Sequence, residues 1–102
     1  MPRGFVLLDT VPGREESVFQ SLSRVPHVIA RRKLQNRAKF YEILALVESE
    51  TEESLERFIV TELRSVPGVK NVQPITLEFT MTGPLQKVMA EMEQEVEKRM
   101  SP

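Results

Sequence analysis

Leu22-Ser23-Arg24-Val25-Pro26-His27-Val28 returns later in the chain as Leu63-Arg64-Ser65-Val66-Pro67-Gly68-Val69, with every position displaced by 41 residues. In each copy an apolar pair three residues apart closes a helical run. Proline then stops the helix, and a β-branched residue opens the next extended stretch. A chain that repeats this passage from helix to turn to strand has two halves built alike, and reading outward from each copy shows what they contain.

Before the first copy, Phe5-Val6-Leu7-Leu8-Asp9-Thr10 is a run of β-formers closed by the turn signal Val11-Pro12-Gly13, which predicts strand 1. Arg14 to Arg24 switches to helical spacing, with Val18, Leu22 and Val25 on one face and Phe19 beside them. Val28 to Gln35 predicts strand 2. Asn36-Arg37-Ala38-Lys39 is a polar break suited to a hairpin, and Phe40 to Glu48 predicts strand 3. Ser49-Glu50-Thr51-Glu52 has the form of a capping box opening a helix from Glu52 to about Val66, whose apolar stripe is Leu55, Phe58, Ile59, Leu63 and Val66. Ile75, Leu77 and Phe79 alternate with Thr76, Glu78 and Thr80, the period-two mark of strand 4. The order βαββαβ, with right-handed crossovers, closes into a ferredoxin-like α+β fold. Its four-stranded antiparallel sheet has strand order 4-1-3-2 and both helices on one face. Pro74 fits an edge position for strand 4. Thr82-Gly83-Pro84 then starts a third helix, with Leu85, Val88, Met89, Met92, Val96 and Met100 at helical spacing. Residues 1–80 therefore read as one domain and 81–102 as an appended amphipathic helix.

The central strands carry a further expectation. In strand 3, Ile43, Ala45 and Val47 point one way and Leu44 and Leu46 the other; in strand 1, Phe5 and Leu7 oppose Val6 and Leu8. Helices cover one face only, so the second face would leave an apolar patch in water. Pairing with a second copy of the chain, sheet on sheet, as in a dimeric α+β barrel, buries it. The alternative is that the C-terminal helix folds back over the open face of its own subunit.

Composition narrows the function. In 102 residues, 14 basic and 15 acidic side chains leave a net charge of −1, which gives no global attraction to nucleic acid or an anionic membrane. The absence of cysteine excludes disulfide frameworks, thiolate nucleophiles and cysteine-based zinc sites. The apolar run Phe5 to Leu8 is too short for a signal peptide or membrane span, so a cytoplasmic location is expected. His27, the only histidine, falls at a turn with no partner specified by sequence. No phosphate loop, metal set or cofactor motif appears, and the reading is of a protein that is not an enzyme. The basic cluster Arg31, Arg32, Lys33, Arg37 and Lys39 has two readings, an anion-binding hairpin or a solvated edge strand whose charges block unwanted pairing.

Three elements resemble the effector-binding domain (regulation of amino-acid metabolism, or RAM, domain) of the Lrp/AsnC family of transcription regulators. They are Val11-Pro12-Gly13-Arg14-Glu15-Glu16, Leu63 to Val69, and Tyr41-Glu42-Ile43-Leu44-Ala45-Leu46-Val47-Glu48, in that family's order and spacing from Gly4 to about Phe79. The resemblance implies a ferredoxin-like fold, dimers formed by facing sheets, and a small-molecule effector, amino acids among the candidates, bound near the hairpin between strands 2 and 3. It places Lys39, Tyr41 and Glu42 at that ligand site, with Glu42 where the family has aspartate and Lys39 where it has glycine. Only three residues, Met1 to Arg3, precede the matched stretch, so a stand-alone effector domain without a helix-turn-helix is expected. The expected partners are the chain itself, a small-molecule effector and a partner regulator. The competing expectations are a dimeric α+β barrel enzyme and a peptide-binding chaperone with a ferredoxin-like fold.

Overall fold

The computed structural model describes residues 1–35, 41–75 and 84–100. Its elements run β1 (Arg3–Thr10), α1 (Glu15–Leu22), β2 (Val28–Gln35), β3 (Tyr41–Glu48), α2 (Glu52–Arg57) continuing as a π-helical turn (Phe58–Leu63), β4 (Val69–Ile75) and α3 (Pro84–Met100). The four strands form one antiparallel sheet in the order β2-β3-β1-β4, the topology that the repeat predicts.

Alternation divides the strands as expected. Val6, Leu8, Ile43, Ala45 and Val47 face α1, α2 and the π turn, where they meet Val18, Leu22, Leu55, Phe58, Ile59 and Leu63 in one buried cluster. The opposite face of β3 presents Leu44 and Leu46, and these are buried too, beneath Met89, Met92 and Val96 of α3. In the single chain the second face is therefore not open. The C-terminal helix lies across it, which is the alternative arrangement of the two that the sequence allows.

Two boundaries differ from the sequence reading. The expected Ser49–Glu52 capping box is replaced by one two residues on: Thr51 Oγ1 accepts from the Ser54 backbone N–H at 3.0 Å, and Ser54 Oγ accepts from the Thr51 N–H at 3.1 Å. Ser49 is instead drawn inward, 3 % exposed, its backbone N–H donating to the Pro2 carbonyl and its hydroxyl bonding Ser54 Oγ at 2.5 Å. Helix 2 also widens after Arg57. In a π turn residues five apart share a face, so Phe58 and Leu63 both reach the sheet.

Strand β4 begins at Val69, earlier than the alternating stretch from Ile75 suggests, and residues 76–80 lie outside the described residues. A bulge explains why this start is hard to read. Thr10 opposes Val69 and Asp9 opposes Asn71, so Lys70 is the extra residue. The bulge lets Val69 and Val72 both pack on the α1–α2 side, while Ile75 joins the α3 side.

Candidate functional site

Of the residues expected to bind a ligand, Lys39 lies outside the described residues. Tyr41 opens β3 opposite Gln35, and Glu42 stands between Asp9 of β1 and Leu34 of β2 in the sheet register. Glu42 is half-buried and interacts with a neighbour. The backbone thus brings Tyr41 and Glu42 to the hairpin end of the central strand.

The second sheet face is a further candidate surface. Beneath α3 the side chains Ala30, Leu44, Leu46, Met89, Met92 and Val96 are buried, and around them Phe5, Leu7, Ile29, Leu34, Ile75, Leu85 and Val88 remain only partly covered. A single helix is about 10 Å wide with its side chains, whereas four strands spaced by ~4.8 Å span more than that. One helix therefore cannot shield the full width, and an apolar rim is left among the described residues.

The β2 edge carries the basic cluster. Arg31 and Lys33 point to the α1 side, where both stack over the Phe19 ring, at 4.2 Å and 5.2 Å from its centroid. Lys33 also pairs with Glu16. That pairing lowers the Glu16 carboxyl below its ordinary value of 4.5, first through the Lys33 hydrogen bond, then through one from Gln20. Arg32, on the other side, pairs with Glu95 of α3. Three of the cluster's five cations are thus engaged with their own subunit; Arg37 and Lys39 lie outside the described residues.

His27 occupies a place that sequence reasoning undervalued. The ring packs edge-on against Phe58 at 4.9 Å, and its Nδ1 lies 3.0 Å from the Glu48 carbonyl oxygen. A carbonyl can only accept, so the proton sits on Nδ1, and in the neutral ring Nε2 is left as an acceptor. The ring borders a cleft of about 380 Å³ lined also by Ser49, Ser54, Arg57, Phe58 and Thr61. Ser49 comes from the β3–α2 connection, Ser54 from the first turn of α2, and Arg57 and Thr61 from the π junction, so no contiguous motif could have announced the cleft. The two serine hydroxyls bond each other and the histidine bonds the main chain, an arrangement that holds the loop.

No group of three metal-ligating side chains occurs among the described residues, and no helix among them is long and apolar enough to cross a membrane.

With this geometry in view, the comparisons with known proteins define the class. The family of AsnC-type transcription regulators described as the PF0864 C-terminal dimeric alpha+beta barrel domain matches residues 8–88. The chain belongs to that Lrp/AsnC regulatory-domain family. Among solved structures it is similar to FFRP-DM1, at 25 % identity and a TM-score of 0.65 over 74 % of this chain and 96 % of that one. The protein TTHA0845 from Thermus thermophilus is 21 % identical with a TM-score of 0.63, over 74 % of this chain and 90 % of that one. The hypothetical protein PHS023 from Pyrococcus horikoshii is 24 % identical with a TM-score of 0.63, over 82 % of this chain and all of that one. No curated protein matches the chain significantly.

Proposed function

We propose that this protein is a non-enzymatic regulatory module that self-associates through its second sheet face and senses a small molecule, amino acids being the first class to test. The observation that carries the reading is that face. It is apolar on both central strands, retains a partly covered rim under α3, and belongs to a family whose defining domain is a dimeric α+β barrel. Pairing two such faces requires α3 to slide or lift from Leu44 and Leu46. Its contacts suit this, because Met89 and Met92 are unbranched side chains that repack at low cost. The effector is placed at the hairpin end of β2 and β3, where Lys39, Tyr41 and Glu42 would supply an ammonium, a phenol and a carboxylate to a zwitterionic ligand. A partner regulator sharing the same sheet face would receive the signal as a change in that interface.

The test joins two measurements on the full chain: solution mass by light scattering across a concentration series, and calorimetry against a panel of amino acids. A concentration-dependent dimer or larger species, together with heat from at least one amino acid that Tyr41→Phe or Glu42→Gln reduces tenfold or more, is the expected result. A monomer at all concentrations with no heat from any amino acid overturns the reading.

A further inference from the structure

The cleft between the β2 edge and the C-terminal end of α3 gathers three guanidinium groups that the sequence separates. It is lined by Phe19, Ser23, Arg31, Arg32, Glu95 and Arg99 along the backbone of Val28 to Ala30, and encloses about 340 Å³. Arg31 enters from the α1 side, held by stacking on Phe19. Arg32 enters from the α3 side of the same strand, its Nη1 donating to the Arg31 carbonyl at 3.1 Å and its Nη2 pairing with Glu95. Arg99 arrives from the last turn of α3, its Nη2 donating to the Ile29 carbonyl at 2.7 Å. Set against the single carboxylate of Glu95, the three arginines leave the lining with two positive charges in excess.

One donor is left over. The Arg31 Nε–H is buried and has no hydrogen-bond partner among the described residues. A buried, charged donor without an acceptor costs free energy that a bound acceptor would recover. Stacking on Phe19 fixes the plane of that guanidinium but leaves its in-plane hydrogens to be satisfied. A planar carboxylate is matched by one guanidinium fork, and here donors approach from two faces of a strand and from a separate helix. That convergence suits an anion that presents oxygens in several directions.

We propose that this cleft binds a phosphate group, free or carried on a small molecule, with Arg31 and Arg99 as its principal donors and Glu95 as the internal carboxylate that the incoming anion displaces from Arg32. The site is independent of the effector proposed at the hairpin end of the sheet. Because α3 supplies Arg99 and Glu95, the site is complete only while α3 is docked, so a bound phosphate also holds α3 on the sheet by linkage.

Titration of inorganic phosphate into the ¹⁵N-labelled full chain at constant ionic strength tests this, with the arginine Nε–H resonances followed by NMR and acetate titrated in parallel. The expected result is saturable movement of the Arg31 resonance with phosphate, at least tenfold weaker with acetate. Arg99→Gln should weaken phosphate binding about tenfold, while Lys98→Gln, the same charge change one residue earlier, should leave it within twofold. Arg99 is exposed, so its substitution does not endanger the fold. Movement that never saturates, equal affinity for acetate, or equal losses in Arg99→Gln and Lys98→Gln would each overturn the proposal.

Discussion

The two faces of the sheet are equally apolar at their centres yet differently enclosed. On one side, two helical segments bring Val18, Leu22, Leu55, Phe58, Ile59 and Leu63 onto the strands, and the aliphatic side chains interlock around Leu8 and Ile43. On the other, among the described residues, α3 supplies the cover, two of its three buried residues are methionines, and a rim of half-buried apolar side chains surrounds it. The first face is a finished core. The second is a face that one helix closes only in part among the described residues.

Equal burial allows the comparison to be measured directly, because Leu8 and Met92 are both fully buried. Truncating either to alanine removes a comparable side chain, for which costs of about 2–5 kcal/mol are usual. Leu8→Ala is expected near the top of that range, since the cavity lies between elements that cannot separate without global unfolding. Met92→Ala is expected near the bottom, since α3 can release locally and the loss is limited to its docking energy. Denaturant titration gives both values, and light scattering of Met92→Ala should show stronger self-association than the parent chain. Equal costs, with no change in solution mass, would mean that the two faces are equivalent and α3 is ordinary core.

Gly68 sharpens the same contrast from the enclosed side. Its φ of +95° lies in the left-handed region, and a Cβ built there would fall 2.7 Å from Val18 Cγ2 and 3.2 Å from Arg14 Cβ. Its carbonyl meanwhile accepts the Val11 N–H at 2.8 Å. The turn before β4 is therefore pressed against α1 with no space to spare. Gly68→Ala should cost about 1–3 kcal/mol from strain and crowding together, read as a lower denaturant midpoint. A midpoint unchanged by the substitution would show that this side is looser than its packing implies.

How much of this could be read from sequence depends on which physical rule each part obeys. The topology was legible because Leu22–Val28 and Leu63–Val69 repeat, and the bounds of β2 because its apolar start and polar hairpin are both local signals. The apolar character of both sheet faces was legible from Ile43 to Val47, but what covers the second face was not: periodicity gives α3 an apolar stripe and says nothing of where it lands. The Thr51–Ser54 cap was misplaced because Ser49 offers the same chemistry two residues earlier, and only burial assigns it elsewhere. The π turn and the bulge at Lys70 break the periods that sequence patterns rest on. The arginine cleft was half legible: Arg31 and Arg32 were evident as a cluster, whereas Arg99, 67 residues beyond Arg32, joins them only through tertiary structure.

The smallest expected effect lies on the rim of the enclosed face, where Lys33 of the β2 edge reaches Glu16 of α1. Glu16 titrates below its ordinary 4.5 because the Lys33 hydrogen bond, aided by Gln20 and by the Lys33 charge, favours the carboxylate. A carboxyl whose folded value is depressed binds fewer protons in the native state than in the unfolded chain through that interval. Its contribution to stability is therefore complete above 4.5 and is lost as the pH falls through the folded value. Glu16→Gln should consequently lower stability slightly at about pH 7 and converge with the parent chain at a pH below the folded value, the difference shrinking further in high salt because the pair is exposed to solvent. Denaturant midpoints for both proteins at the two pH values decide it. A gap between them that persists undiminished at the lower pH would assign the effect of Glu16 to helix propensity in α1, and the ion pair would then contribute nothing to fastening α1 to the strand edge.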